Sequence, residues 1–317
     1  MLVQETSLKN EILRLKKEKD VVILAHNYQI PDVQDVADFT GDSLGLSRQA
    51  AKVSQKTILF CGVHFMAETA AIICPDKKVL IPDLQAGCSL SDSITVEELR
   101  NWKMQHPGAI TVGYVNTTAE IKSELDYCCT SANAVNVVKA IPADKEILFL
   151  PDMFLGSYVA KVTGRKNMFI WAGECHVHAG IKPEDIAKKL DSLQDAEFLI
   201  HPECSCTTPM MYDVASGSFD NNKVSILSTE GMLNHVNNSK SKNFVVATET
   251  GILYKMRQQN PGKTFIPASE KAECQYMKMI TLKKVYDALV QEKNHVIVPK
   301  EIADKARLAI ERMLAIS

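Results

Sequence analysis

No Cys-x-x-Cys pair occurs anywhere in the 317 residues, although the chain carries nine cysteines. The most specific local signature of a compact metal site is therefore missing. Also missing is any apolar run approaching the ~20 residues that span a bilayer. Neither sign of charge dominates: 36 Lys and Arg stand against 38 Asp and Glu, with no basic stripe. That balance argues against nucleic acid and against an anionic membrane as partners. The opening stretch "MLVQETSLKNEILRLKKEKD" is charged and helical in pattern and lacks an apolar signal core. A cytoplasmic protein is expected. The cysteines, at 61, 74, 88, 128, 129, 175, 204, 206 and 274, are odd in number and irregular in spacing. A disulfide framework is not expected of them. Taken singly, each is read first as a small buried hydrophobe.

What is present is enough to build real cores, with 46% apolar residues, over a length that suits two or three domains. Short β-branched runs alternate with helix-like segments. The runs are "VVILAH", "TILFCG", "KVLIP", "AITVGYV", "EILFLP", "NMFIWAG", "EFLIHP", "KVSILS", "NFVVAT" and "KTFIP". They are apolar on both faces, as strands of a helix-covered parallel sheet should be. Amphipathic segments such as "TVEELRNWKMQ" and "PEDIAKKLDSL" lie between them.

The chain also repeats itself. Three strands end at His26, Tyr114 and His201, each followed two positions later by a polar residue: Tyr28, Asn116 and Glu203. A hydroxyl at an expected helix start follows each: Ser43, Ser131 and Thr229. Then comes a cysteine in "QAGCSL", "AGECHV" and "KAECQY": Cys88, Cys175 and Cys274. From strand end to hydroxyl the steps are 43−26 = 17, 131−114 = 17 and 229−201 = 28. From hydroxyl to cysteine they are 88−43 = 45, 175−131 = 44 and 274−229 = 45. The one longer step contains "SCTTPMMYDVASGSFDNN", whose Pro, Gly and Asn content reads as a loop insertion.

The repeat predicts an α/β fold of three similar αβα domains, with short parallel sheets about a pseudo-threefold axis. Their expected limits are 1–92, 93–180 and 181–317. A fourth helix-and-strand copy, "TLKKVYDALVQEKNHVIVP", and a closing helix follow the last cysteine. This tail is expected to complete a sheet of the first domain. In parallel α/β units functional groups gather at the carboxyl ends of strands, so Cys88, Cys175 and Cys274 are expected to meet. Three thiolates suit a [4Fe–4S] cluster with one iron open, an iron that can act as a Lewis acid. The three helix starts favour carboxylate or phosphate groups. An acidic small substrate is implied.

These residues resemble the quinolinate synthase family over nearly the whole chain. The likeness is carried by "LAHNYQIPDVQDVADFTGDSL", "YVNTTAE", "TSANAV", "GECHVHAGI", "HPEC", "ILSTEGM" and "CQYMKMITL". It implies three αβα domains around a central cluster. It implies condensation of iminoaspartate with dihydroxyacetone phosphate to quinolinate, with loss of phosphate and water, in NAD biosynthesis. Coupling to an L-aspartate-oxidising enzyme is implied with it. By the same resemblance Cys88, Cys175 and Cys274 are cluster ligands. His26, Ser43, Tyr114, Asn116, Ser131, His201, Glu203 and Thr229 are substrate contacts, and Tyr28, Tyr114 and Glu203 are the catalytic acid–base groups.

Plainer alternatives stand beside this. His26 and His201 taken singly read equally well as core histidines, and Tyr28 as a packing residue. A zinc-dependent hydrolase would use Cys175, His176 and His178 with a remote ligand; a non-catalytic iron–sulfur sensor is a third class. His176 and His178 have no counterpart in the other repeats and are expected around the site rather than on the metal. Cys204 and Cys206 are one residue apart, where a disulfide is strained, so both are expected as structural thiols. "NPGKTF" is no phosphate loop, because Arg257 stands where the first glycine is needed.

Overall fold

A computed structural model describes residues 2–184, 186, 189, 193, 195–216 and 223–316. Among these residues twelve short strands form three sheets of four, all parallel. The first holds β1 (Val21–His26), β2 (Phe39–Gly41), β3 (Thr57–Cys61) and β4 (Lys78–Leu80). The second holds β5 (Ile110–Tyr114), β6 (Tyr127–Cys129), β7 (Ile147–Leu150) and β8 (Met168–Ile170). The third holds β9 (Glu197–Ile200), β10 (Val224–Ile226), β11 (Asn243–Ala247) and β12 (Thr264–Pro267). Spatial order is the same in each: β2-β1-β3-β4, β6-β5-β7-β8 and β10-β9-β11-β12. This is an α/β protein of three similar αβα layers.

The central strands are covered on both faces, which their composition requires. All six residues of β1 are buried, as are all four of β7. The apolar core is filled by side chains such as Phe60, Phe149, Phe198 and Phe244. All ten runs named from sequence are strands. β2 and β6 are not among those runs: edge strands of three residues, they are too short to show a period.

The strand order creates the place for a site. The chain leaves β1 to one side to form β2, then crosses to the other side for β3. Between β1 and β3 the connections diverge, and their carboxyl ends border a crevice. The same holds for β5 and β7, and for β9 and β11.

Two segments depart from expectation. Part of the inserted stretch in the third repeat is a helix, Thr207–Ala215. Its Pro209 lies in the first turn, where a missing N–H costs nothing, and Thr207 and Met210 turn inward. Residues 217–222 of that stretch lie outside the described residues. In the tail, "HVIVP" makes a single antiparallel bridge, Leu80 to His295, rather than a strand. The bridge is held by Val296 N–H to Val79 O at 2.9 Å and Ile81 N–H to Asn294 O at 3.1 Å. Helix Leu282–Gln291 packs on the N-terminal helix Leu2–Glu18. The closing helix Lys300–Ala315 packs on β6 and on helices His64–Ile73 and Ala119–Lys122. No helix among the described residues is long and apolar enough to cross a membrane.

Candidate active site

One cavity opens where the three sheets' strand ends meet, with about 710 Å³ of space between atoms when its open mouth is included. It is lined by His26, Tyr28, Ser43 and Cys88 from the first repeat. Tyr114, Asn116, Ser131 and Cys175 come from the second, and His201, Glu203, Thr229 and Cys274 from the third. All twelve residues marked in the sequence thus stand on one wall or another of the same space. No Lys or Arg is among its described lining residues. An anion there must be held by neutral donors or by a bound metal.

Cys88, Cys175 and Cys274 are free thiols, each at the mouth of a short helical turn. Cys175 and Cys274 are the N-cap residues of His176–Ala179 and Gln275–Lys278. Backbone N–H groups one turn on face each sulfur: Leu90 and Ser91 face Cys88, His178 faces Cys175, and Tyr276 and Met277 face Cys274. Such donors favour thiolates. Without a metal the three thiols are costly to ionise. Burial pushes Cys88 up to about 12, and the neighbouring Cys274 adds to it. Burial and nearby Glu203, then Cys88 and Cys274, raise Cys175 in the same direction. A metal that takes up three thiolates relieves this cost. The donor set fits an all-thiolate cluster ligation.

The end of the first strand of each repeat meets the cavity: His26 and Tyr114 close β1 and β5, and His201 directly follows β9. His26 Nδ1 accepts the Tyr28 N–H at 3.2 Å, and His201 Nδ1 accepts the Glu203 N–H at 3.4 Å. Accepting at Nδ1 leaves Nε2 to carry the hydrogen of a neutral ring. For His201 that nitrogen lies 3.2 Å from Ser131 Oγ. Burial first, with His201 next, drives His26 down to about 3, and burial likewise drives His201 to about 3. Both are neutral donors at pH 7. Below pH 6.5 each ring in the unfolded chain binds a proton that the folded chain refuses until about pH 3. Stability should therefore fall as pH drops from 6.5 towards 3. Urea midpoints across that window check this, and a flat profile would contradict the burial of neutral rings.

The acid–base groups form a buried network. Tyr114 Oη donates to Glu203 Oε1. Glu203 Oε2 lies 3.2 Å from His178 Nδ1, which is also 3.3 Å from Cys175 Sγ. Burial pushes the Glu203 carboxyl up, but His178 and His201 beside it, with hydrogen bonds from His178 and Tyr114, outweigh burial and hold it at about 2. It is a carboxylate. Burial keeps Tyr28 and Tyr114 well above the ordinary phenol value, so both remain protonated.

Ser43 and Thr229 are the first residues of helices Ser43–Lys52 and Thr229–Asn238, capped by Asp42 and Ser228. Ser131 differs. It sits in a turn closed by Thr130 and Asn133, three residues ahead of helix Ala134–Ala140. Asn116 Oδ1 is buried with no partner among the described residues. His176 lines the cavity, but its Nδ1 lies 2.7 Å from Ser89 Oγ, and its ring stands edge-on to Tyr276. It does not join His178. Among the described residues, Cys175, His178 and Glu203 are three metal-capable groups that lie together, within 4.8 Å.

Three features escaped the sequence. Cys204 and Cys206 are disulfide-bonded, against expectation. Tight turns from His201 to Thr207 (Cys204 N–H to His201 O at 2.9 Å, Thr207 N–H to Cys204 O at 3.0 Å) bring their Cα atoms to 5.2 Å, inside the span of a disulfide. Glu249 and Asp152 each stand two residues past the third strand of a repeat and serve a cysteine loop. The Cys274 N–H bonds Glu249 Oε1 at 3.1 Å, and the Cys175 N–H faces the Asp152 carboxyl. An acidic residue at that shared offset was the available signal. Glu249 is fully buried and pairs at 2.7 Å with Lys278, which also donates to Tyr28 O at 2.6 Å. Lys278→Met leaves that carboxylate without its cation. It should cost roughly 3 kcal/mol, the low end for a broken buried pair, because two N–H donors remain. Denaturant unfolding measures it, and a loss under about 1 kcal/mol would mark the pair as surface-like.

A family model described as quinolinate synthetase A protein matches residues 10–315. A quinolinate synthase of Mycobacterium sp. (strain KMS) is 53% identical over 306 residues, covering 96% of this chain and 91% of that one. One from Pyrobaculum aerophilum is 53% identical, covering 96% and 98%, and one from Thermus thermophilus is 52% identical, covering 98% and 97%. Among solved structures, the E-1-hydroxy-2-methyl-but-2-enyl-4-diphosphate reductase from Plasmodium falciparum aligns with a TM-score of 0.38 at 13% identity, over 92% of this chain and 94% of that one. That likeness is too distant to argue from.

Proposed function

The chain belongs to the quinolinate synthetase A family, and from that premise we propose that it condenses iminoaspartate with dihydroxyacetone phosphate, releasing phosphate and water, to form quinolinate. We propose that Cys88, Cys175 and Cys274 hold a [4Fe–4S] cluster. One observation carries this: three free cysteines, one from each repeat, line a single cavity with backbone N–H groups turned to each sulfur. When bound, the cluster would supply a Lewis acid where no described Lys or Arg lines the cavity.

The chain's own residues do the rest. His26 and His201 present Nε2–H groups as neutral donors to substrate carboxylates. Ser43 and Thr229, at helix starts, and Ser131 offer hydroxyls and N–H groups to the acidic ends of the two substrates. Glu203, ionised, takes protons from carbon. Tyr114, whose hydroxyl already donates to Glu203, returns one to a leaving hydroxyl. Tyr28 faces them from the first repeat. Burial keeps competing water from these groups. An imine hydrolyses in water, so supply by an L-aspartate-oxidising enzyme belongs to the proposal, as do a cytoplasmic setting and domain limits near residues 92 and 180.

The test is direct. Anaerobically purified protein, given iminoaspartate generated in place and dihydroxyacetone phosphate, should release quinolinate and phosphate in equal amounts. Phosphate without quinolinate, or neither product from iron-loaded protein, would overturn the assignment. A mononuclear zinc centre is the second reading, favoured by the closeness of Cys175, His178 and Glu203. Colourless protein with one zinc per chain would establish it.

A further inference from the structure

Just after each of the three cysteines stands a further residue of the cavity wall: Ser89 after Cys88, His176 after Cys175, and Tyr276 two places after Cys274. None of them has a part in the chemistry proposed above. They come from three different repeats, yet they meet. His176 Nδ1 lies 2.7 Å from Ser89 Oγ. The His176 ring stands edge-on to that of Tyr276, with 5.9 Å between centroids and 82° between planes. Tyr276 in turn lies over Gly87, where a Cβ would meet its ring at 3.9 Å. Contacts thus run from the first repeat to the second, to the third and back to the first, beside all three cysteines. This circle lies on the solvent side of the thiols. Glu174 and His176, which flank Cys175, are exposed, as are Glu273 and Gln275, which flank Cys274, and Gln85 just ahead of Cys88. The cysteines are half-buried. His26, Tyr28, Tyr114, His201 and Glu203, which the chemistry uses, are buried.

We propose that Ser89, His176 and Tyr276 form a wall between solvent and the cluster held by Cys88, Cys175 and Cys274, and that this wall sets how fast dissolved ligands reach the iron. The inference rests on the proposed three-cysteine cluster. The surroundings of a metal site control solvent access to it, and here the contacts that close those surroundings can be named. The wall also gives His176 a role. It follows a cysteine directly, but its Nδ1 is engaged by Ser89 and its ring by Tyr276, so it acts by covering rather than by ligating. The three positions carry Ser, His and Tyr where the cysteines are copied exactly, because a closed contact needs side chains that fit one another rather than side chains that match.

Iron extraction tests this without any turnover. Iron-loaded protein is mixed under anaerobic conditions with excess EDTA, and the loss of visible absorption and of protein-bound iron is followed. Tyr276→Ala removes the ring that touches both other repeats. Iron loss should quicken at least about threefold, the scale set by losing one edge-on ring contact. Iron content before mixing and the urea midpoint should stay at the wild-type values. Tyr276→Phe keeps the ring and should lose iron at the wild-type rate. Ser89→Ala removes only the hydrogen bond to His176 and should quicken loss in the same direction; it carries the test should the tyrosine variant fail to fold. In a His176→Ala background, Tyr276→Ala should add less than it does in the wild type, because the two side chains act through a shared contact. Wild-type extraction rates in both Tyr276→Ala and Ser89→Ala would overturn the wall and leave the cluster standing. So would a quickening that appears only with a lowered urea midpoint, since general loosening then explains it. Wild-type protein that holds no cubane would overturn the cluster and this inference with it, and the iron assay before mixing shows that first.

Discussion

Cys175→Ser should empty the protein of iron and sulfide, and Cys88→Ser and Cys274→Ser should do the same. The three are far apart in sequence, at intervals of 45, 44 and 45 residues from their repeats' hydroxyls. The sheets bring them to one cavity. A cubane held by three thiolates has no spare protein ligand, so each loss opens a second iron. Serine keeps the size but is a poor ligand for iron that prefers sulfur. Cys61, Cys74 and Cys128 make the control. Cys61 and Cys128 lie inside strands, and Cys74 Sγ bonds Ala50 O at 3.3 Å. Their serine variants should retain iron, with at most modest destabilisation. The folds of the three ligand variants should survive, since Cys175 and Cys274 cap short turns and all three cysteines only partly fill the core. Iron and acid-labile sulfide, measured beside circular dichroism, check both statements. Full iron in Cys175→Ser would end the three-ligand account.

The second large effect belongs to Tyr114 and Glu203. Building a pyridine ring from an imine and a triose requires protons to leave carbon and to reach departing hydroxyls. With the cysteines assigned to iron, other side chains must move them. Glu203 is buried, ionised and held by Tyr114 and His178 on its two oxygens. That is a base whose proton has a defined way out. Tyr114→Phe and Glu203→Gln should each lose at least about two orders of magnitude in turnover, the low end of an acid–base contribution. Cluster content should stay intact. A packing role predicts the reverse, near-normal turnover with reduced stability. Quinolinate formation measured beside iron content separates the two, and wild-type turnover with full clusters would remove both residues from the mechanism.

The features most legible in the sequence were those the repeat copies three times. Strand ends at His26, Tyr114 and His201 and cysteines at 88, 175 and 274 recur at near-constant spacing. Periodicity then supplied the parallel sheets, because strands buried on both faces must be apolar throughout. What escaped is what the repeats do not share. Glu249 and Asp152 follow the third strand of their repeats, but Val63 holds that place in the first, so no common residue type marks it. Helix Thr207–Ala215 was hidden by Pro209, which reads as a breaker unless it falls in a first turn. The Cys204–Cys206 bond depends on turns that spacing alone does not report. Edge strands β2 and β6 are held by neighbours rather than by their own composition.

The claim on which the account turns is that three cysteines hold the cluster and leave one iron without a protein ligand. Mössbauer spectroscopy of iron-57-loaded, anaerobic protein, with and without saturating quinolinate, tests it most directly. The account predicts about four irons per chain, as a cubane requires. Added dicarboxylate should change the signal of one iron and leave the others as they were. A spectrum unchanged by the ligand, or a single metal per chain in place of a cubane, would contradict it.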